Sequence, residues 1–337
     1  KKKVDTETPP PSVEETAAGN DKASEEIPPA KKDFVFNYNG SVFGNIPELP
    51  TSAKATTGIL VELDSGNVLW AKAPKRGVPI ASMTKMMTSL LAFEDLKNRS
   101  DISLESPIQV SKTAMMIGGS QLYLDIRETF PLGDLLKAVM IMSANDASEL
   151  VAEFLSGGNT YEFIARMNRR AQELKMPMTK FYNPHGLPGD SAAEDNISSP
   201  EGMVILAKEL LEYPQAVEWA STKIDKLPRQ NLKNPSVPKE PSMLKNHNRL
   251  IGVCPGVNGM KTGFIRRSGF CVTVTCERGG KKMAAVVTGF KTQKERDAFV
   301  MKLLDWGYKR SANSSFDTAK DNLGTEDFSA EDIVIPK

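Results

Sequence analysis

The stretch GFCVTVTCERGGKKMAAVVTGF, residues 269–290, alternates on its first arm: Phe270, Val272, Val274 and Cys276 face one way, Cys271, Thr273, Thr275 and Glu277 the other. Period two marks a half-buried strand, and Arg278-Gly279-Gly280 supplies the turn before a second apolar arm. An antiparallel hairpin is predicted here. GILVELDSGNVLWAKA, 58–73, places two strand-like runs around Asp64-Ser65-Gly66-Asn67, a second hairpin far away in the chain. Between the two, helical periodicity runs at 82–97, 133–142, 146–155, 160–175 and 199–212, and TQKERDAFVMKLLDWGYKR, 292–310, closes with an amphipathic helix. Hairpin, helices, hairpin, helix is an α+β order: N- and C-terminal strands share one antiparallel sheet, flanked by helices, with a mostly helical middle.

The boundaries follow from composition. Residues 1–33 hold five prolines and only Val4, Val13 and Ile27 as large aliphatics, too little apolar surface to offset ordering entropy. We therefore expect a disordered linker over 1–45, one domain over 46–310 and a polar tail over 311–337. The proline-rich, basic run 225–245 reads as a long surface connection. No apolar stretch reaches the ~18 residues of a membrane span, so any membrane association is expected through a segment outside this chain.

Charge and ligand inventory narrow the function classes. A net charge of +1 without a basic helix argues against a nucleic-acid partner. Two histidines, His185 and His247, without a His-Glu-x-x-His pattern, imply neither a metal site nor a cofactor. Of three cysteines, Cys271 and Cys276 lie five apart on one strand and point to opposite faces. Buried free thiols are expected, with a bridge from Cys254 to either of them as the alternative.

ASMTKMMTSLLAF, 81–93, contains a single charge, Lys85. On a helix Met83, Met86, Met87, Leu90 and Leu91 form one apolar stripe, and Ser82, Lys85 and Ser89 the next. Residues three apart are neighbours, which brings the Ser82 hydroxyl and the Lys85 amine within hydrogen-bond reach. Burial lowers a lysine pKa from about 10.4, and a neutral amine takes the proton of a serine and makes it a nucleophile. The competing reading has Lys85 snorkelling to water and Ser82 capping the helix.

In IMSANDASEL, 141–150, Ser143 and Asn145 stand between two helical patterns, where Ser143 with Asp146 also fits a helix cap. In VNGMKTGFIRRSGF, 257–270, Lys261-Thr262-Gly263 precedes the alternating strand. Lys261 and Thr262 offer a cation and a hydroxyl to a carboxylate, and Gly263 would let an extended peptide approach the backbone. The plain alternative is an edge strand whose lysine deters aggregation.

The ordered set Ser82-x-x-Lys85, Ser143-x-Asn145 and Lys261-Thr262-Gly263 resembles the penicillin-recognising serine acyl-transferases. PIASMTKMMTSLLAFE, IMSANDASELVAEF, FYNPHGL and VNGMKTGFIRRSGF are similar to the serine-type D-alanyl-D-alanine carboxypeptidases, the low-molecular-mass penicillin-binding proteins, over about residues 46–310. The resemblance implies a β-lactamase/transpeptidase-like fold in an exported envelope protein. It implies peptidoglycan stem peptides as substrates and β-lactam antibiotics as inhibitors. By position, Ser82 is the acylated nucleophile, Lys85 its base, and Ser143 the proton donor to the leaving D-alanine. Asn145 holds the acyl-side amide, Lys261 and Thr262 receive the terminal carboxylate, and the backbone N–H groups of Ser82 and Phe264 form the oxyanion hole.

Two positions depart from that pattern. Some relatives carry an arginine for the substrate carboxylate where this chain has NHNRL, with His247 at that place and Arg249 two residues on. Many have threonine where Ile265 stands. His185, in NPHGLPG, reads as structural, because no Gly-x-Ser-x-Gly elbow accompanies it. The rival activities are a D,D-endopeptidase cutting cross-links and a non-catalytic envelope scaffold. A β-lactamase lacks support, since no Glu-x-x-Leu-Asn pattern is present to activate a deacylating water.

Overall fold

The computed structural model describes residues 33–234 and 236–313. The chain enters through strands β1 (Val42–Phe43), β2 (Gly58–Glu62), β3 (Val68–Lys72) and β4 (Val78–Pro79), then helix α1 (Lys85–Asn98). Strand β5 (Pro107–Gln109), helix α2 (Lys112–Met116) and strand β6 (Thr129–Pro131) follow. Next come helices α3 (Leu132–Ile141), α4 (Asn145–Leu155) and α5 (Thr160–Glu173), strand β7 (Ile197–Ser198), and helices α6 (Pro200–Leu210) and α7 (Pro214–Ser221). Strands β8 (Ile224–Arg229), β9 (Lys239–Lys245), β10 (Val257–Ile265), β11 (Gly269–Arg278) and β12 (Lys281–Phe290) lead into helix α8 (Gln293–Asn313).

Both predicted hairpins form and meet in one sheet of order β1-β3-β2-β12-β11-β10. Strands β12 and β2 pair antiparallel with Ala285 opposite Leu60, so the two ends of the domain close on each other. The alternation of β11 separates two cores. Val272, Val274 and Cys276 pack with Leu60, Trp70 and the α8 residues Phe299 and Leu303. Cys271 lies in the other cluster, with Ile59, Met83, Leu90 and Leu136. Burying each such aliphatic or aromatic side chain contributes about 1.5–3 kcal/mol, and the period-two pattern lets one strand serve both faces. All three cysteines are buried free thiols, without the alternative bridge from Cys254.

Two sequence boundaries need correction. Residues 34–45 are not linker: the compact unit runs from Phe34 onward. Phe34, Phe36 and Tyr38 pack against the core, and the alternating aromatics of that run are the signal that composition alone hid. Trp70 Nε1 donates to Gly44 O at 2.8 Å, and Tyr38 Oη donates to Glu201. At the other end α8 takes in residues 311–313, while the expected linker at 1–32 and the tail from 314 lie outside the described residues.

The run 225–245 is a hairpin, β8 on β9, rather than a connection. Leu227 and Leu244 are its buried anchors, and the prolines that masked it fall partly in the turn. Arg229 fixes it to the helical block, donating to Glu128 Oε1 at 2.9 Å and to the carbonyls of Leu122 and Tyr123. Glu128 is fully buried, so this ion pair is one that removal of either partner would penalise heavily.

Candidate active site

Strand β10 is the free edge of the sheet, and it faces a short 3-10 turn, Ala81–Thr84, at the head of α1. Ser82 lies in that turn, half-buried, and makes no side-chain cap. Ala81 takes a left-handed φ of 48°, a conformation costly for a residue with a Cβ and a frequent mark of a strained functional turn.

Gly263 explains how strand and turn come together. A Cβ there would sit 2.5 Å from Ile80 O and 3.3 Å from Ala81 Cβ. The glycine therefore lets β10 press on the nucleophile's turn. This packing accounts for the glycine on its own, beside the sequence-based expectation that it admits substrate. Gly186, with φ 84°, seals the other side, since a Cβ on it would lie 2.0 Å from Ala81 O.

Lys85 is 1% exposed. Its Nζ is 3.1 Å from Ser82 Oγ, donates to Asn145 Oδ1 at 2.6 Å, and donates to the His185 carbonyl at 2.5 Å. Burial holds its pKa well below the ordinary lysine value, the charge of Lys261 pushes the same way, and Asp146 opposes them. A neutral amine has two hydrogens and one lone pair. Two acceptors that cannot donate take the hydrogens, which leaves the lone pair for the Ser82 hydroxyl. The snorkelling alternative does not hold.

The second pair lies across the cleft. Lys261, on β10 and 4% exposed, donates to Ser143 Oγ at 2.9 Å and to the Thr262 carbonyl at 3.1 Å. Burial and the charge of Arg296 lower it to about 7. Ser143 does not cap α4: the N-cap residue is Ala144, and no side-chain cap is made. Ser143 instead carries φ 62°, which turns its hydroxyl to Lys261. Asp146, the cap's expected partner, accepts from the backbone N–H groups of Leu122 at 2.9 Å and Leu124 at 3.2 Å. It thereby orders the loop whose Gly118 carbonyl receives Asn145 Nδ2 at 2.8 Å.

Of the remaining sequence candidates, Thr262 is buried on β10, and Phe264 is exposed with its ring stacked on Phe270 at 4.3 Å. His247 lies near enough for charge to reach it: desolvation, then Lys261, Lys85 and Arg249, lower its imidazole to about 4. Arg249 is exposed. His185 serves the site through its carbonyl. Its imidazole is lowered to about 3 by burial and by Lys85, 3.7 Å from buried Glu149. Sequence reasoning missed that carbonyl and the 118–124 loop, because main-chain acceptors carry no residue-type signature. Among the described residues no group of three His, Cys, Asp or Glu side chains could hold a metal ion.

Sheet, helical block and the two serine–lysine pairs between them define the class, a penicillin-binding-protein fold. More narrowly, the chain belongs to the D-alanyl-D-alanine carboxypeptidase family, whose model matches residues 45–292. It is 38% identical over 257 residues to D-alanyl-D-alanine carboxypeptidase DacF of Bacillus subtilis, covering 76% of this chain and 63% of that protein. To DacC of Escherichia coli it is 30% identical over 286 residues, covering 82% and 67%. The chain thus spans about two thirds of the length of these relatives. Penicillin-binding protein D2 of Listeria monocytogenes, solved in an ampicillin-bound form, superposes with a TM-score of 0.65 at 26% identity, covering 76% of this chain and 97% of that one. No helix among the described residues is long and apolar enough to cross a membrane.

Proposed function

We propose that this chain is a serine-type D,D-carboxypeptidase of the bacterial cell envelope. It removes the terminal D-alanine from peptidoglycan stem peptides through a Ser82 acyl-enzyme, and β-lactams acylate the same serine. The observation that carries this reading is the bonding of Lys85, whose two amine hydrogens are engaged by Asn145 and His185 while Nζ stands 3.1 Å from Ser82 Oγ.

Lys85 accepts the Ser82 proton as Oγ attacks the penultimate carbonyl carbon, a general-base contribution of about 10²–10⁴-fold. The oxyanion is received by the backbone N–H groups of Ser82 and Phe264, each donor of this kind being worth roughly 3 kcal/mol. Ser143, bonded to Lys261, passes a proton to the departing D-alanine amine, and the C–N bond breaks. Thr262 and Lys261 bind the leaving carboxylate, and His247 and Arg249 are the two candidates for a third partner. Water then attacks the ester and frees Ser82.

Intact-mass spectrometry after benzylpenicillin treatment tests the nucleophile: one penicilloyl group is expected on the wild type and none on Ser82→Ala. D-alanine release from a pentapeptide, run beside a cross-linked dimer, tests the reaction. Faster cutting of the dimer would move the assignment to an endopeptidase, and an unlabelled wild type would leave a non-catalytic wall-binding scaffold.

A further inference from the structure

A cavity of about 430 Å³ adjoins the site at the outgoing end of β10. Phe264 and Arg266 line it from β10 and the turn that follows, Arg76 from the segment leading through β4 to Ser82, and Thr56, Thr288 and Lys291 from the sheet's end. Three of these are cations, and among the described residues none of the three is in an ion pair. The fourth cation lining the cavity behaves differently: Arg267 is bound twice to Asp195, both contacts at 2.6 Å. Glu295, whose carboxylate feels Lys291, is held by Lys54. Arg76 also has a buried Nε–H without a hydrogen-bond partner, which is unusual in a folded protein and calls for an acceptor.

The cavity's position sets what would fill it. If the leaving carboxylate sits at Thr262 and the reacting carbonyl at the Phe264 N–H, an extended substrate on the edge of β10 runs on toward Ile265 and Arg266, at about 3.3 Å per residue. The cavity then lies on the acyl side of the scissile bond. Guanidinium groups favour carboxylates, which they bind through two parallel hydrogen bonds.

We propose that this cavity is an acyl-side anion subsite, which selects stem peptides bearing a free side-chain carboxylate on the residue before the two D-alanines. The inference rests on the carboxypeptidase reading.

Two pentapeptides that differ only there, one with 2,6-diaminopimelate and one with lysine, test it. The carboxylate peptide should be turned over with a kcat/KM on the order of tenfold higher, as charge-assisted hydrogen bonds allow. The ratio should fall toward one in Arg266→Gln and in Lys291→Gln, two exposed positions where folding is not at stake. A ratio near one in the wild type, or one that survives both substitutions, would overturn the proposal. Penicillin acylation of Ser82 in the same preparations reads the underlying assignment separately: if it fails in the wild type, the carboxypeptidase reading fails, whatever the ratio.

Discussion

Lys85 and Lys261 are two buried amines in one cleft, and the charge on Lys261 helps to keep the proton off Lys85. Each is bonded to a different serine, Ser82 at 3.1 Å and Ser143 at 2.9 Å. The division of labour is electrostatic: one amine is held neutral to accept a proton, and the other stays charged over part of the working range.

Replacing Lys85 by alanine should slow penicillin acylation by about 10²–10⁴-fold, the span of a lost general base. Asn145 Oδ1 and the His185 carbonyl would lose a donor, each costing about 1–3 kcal/mol if it stays unsatisfied. A thermal melt should show a folded protein of lowered Tm. An acylation rate within threefold of wild type would rule Lys85 out as the base.

The pH profile follows from the two lysines. Acylation should fall with rising pH through about 7, as Lys261 loses its charge, while Lys85, held well below the ordinary lysine value by burial, supplies the neutral base. Stability has its own sign. Between the folded value of about 7 and the unfolded value of about 10.4, the unfolded state binds more protons at Lys261, so stability increases with pH across that window. Stability is correspondingly lost as pH falls toward 7. Denaturant unfolding at several pH values should show this slope in the wild type and a smaller one in Lys261→Met.

Gly263→Ala should harm both folding and activity. Its Cβ would lie 2.5 Å from Ile80 O, and relief by moving β10 from the Ser82 turn costs about 1–3 kcal/mol as overpacking. A Tm equal to wild type with impaired hydrolysis would instead return Gly263 to a substrate-contact role.

Ser143→Gly separates catalysis from capping. Glycine relieves the left-handed strain at φ 62°, about 1–2 kcal/mol, and removes the hydroxyl bonded to Lys261. The Tm should hold or rise while D-alanine release falls at least roughly tenfold. A helix cap at this position would predict a loss of stability without that fall in rate.

The sequence by itself determined what depends on neighbours in the chain. The alternation of residues 270–277 produced a strand that serves two cores, and the three-residue spacing of Ser82 and Lys85 placed their side chains together on one turn. The family motifs supplied the remaining candidates, Ser143, Asn145, Lys261 and Thr262. Only the tertiary structure decided how they meet, because hydrogen bonds and steric limits between distant segments leave no period in a sequence. Ser143 turned from a helix cap into the partner of Lys261, 118 residues away. Gly263 became the point where an edge strand touches the nucleophile's turn. His185 contributes to Lys85 a carbonyl that any residue could supply, so its place in the loop decides that bond, while its imidazole accepts from the Leu187 N–H at 3.2 Å.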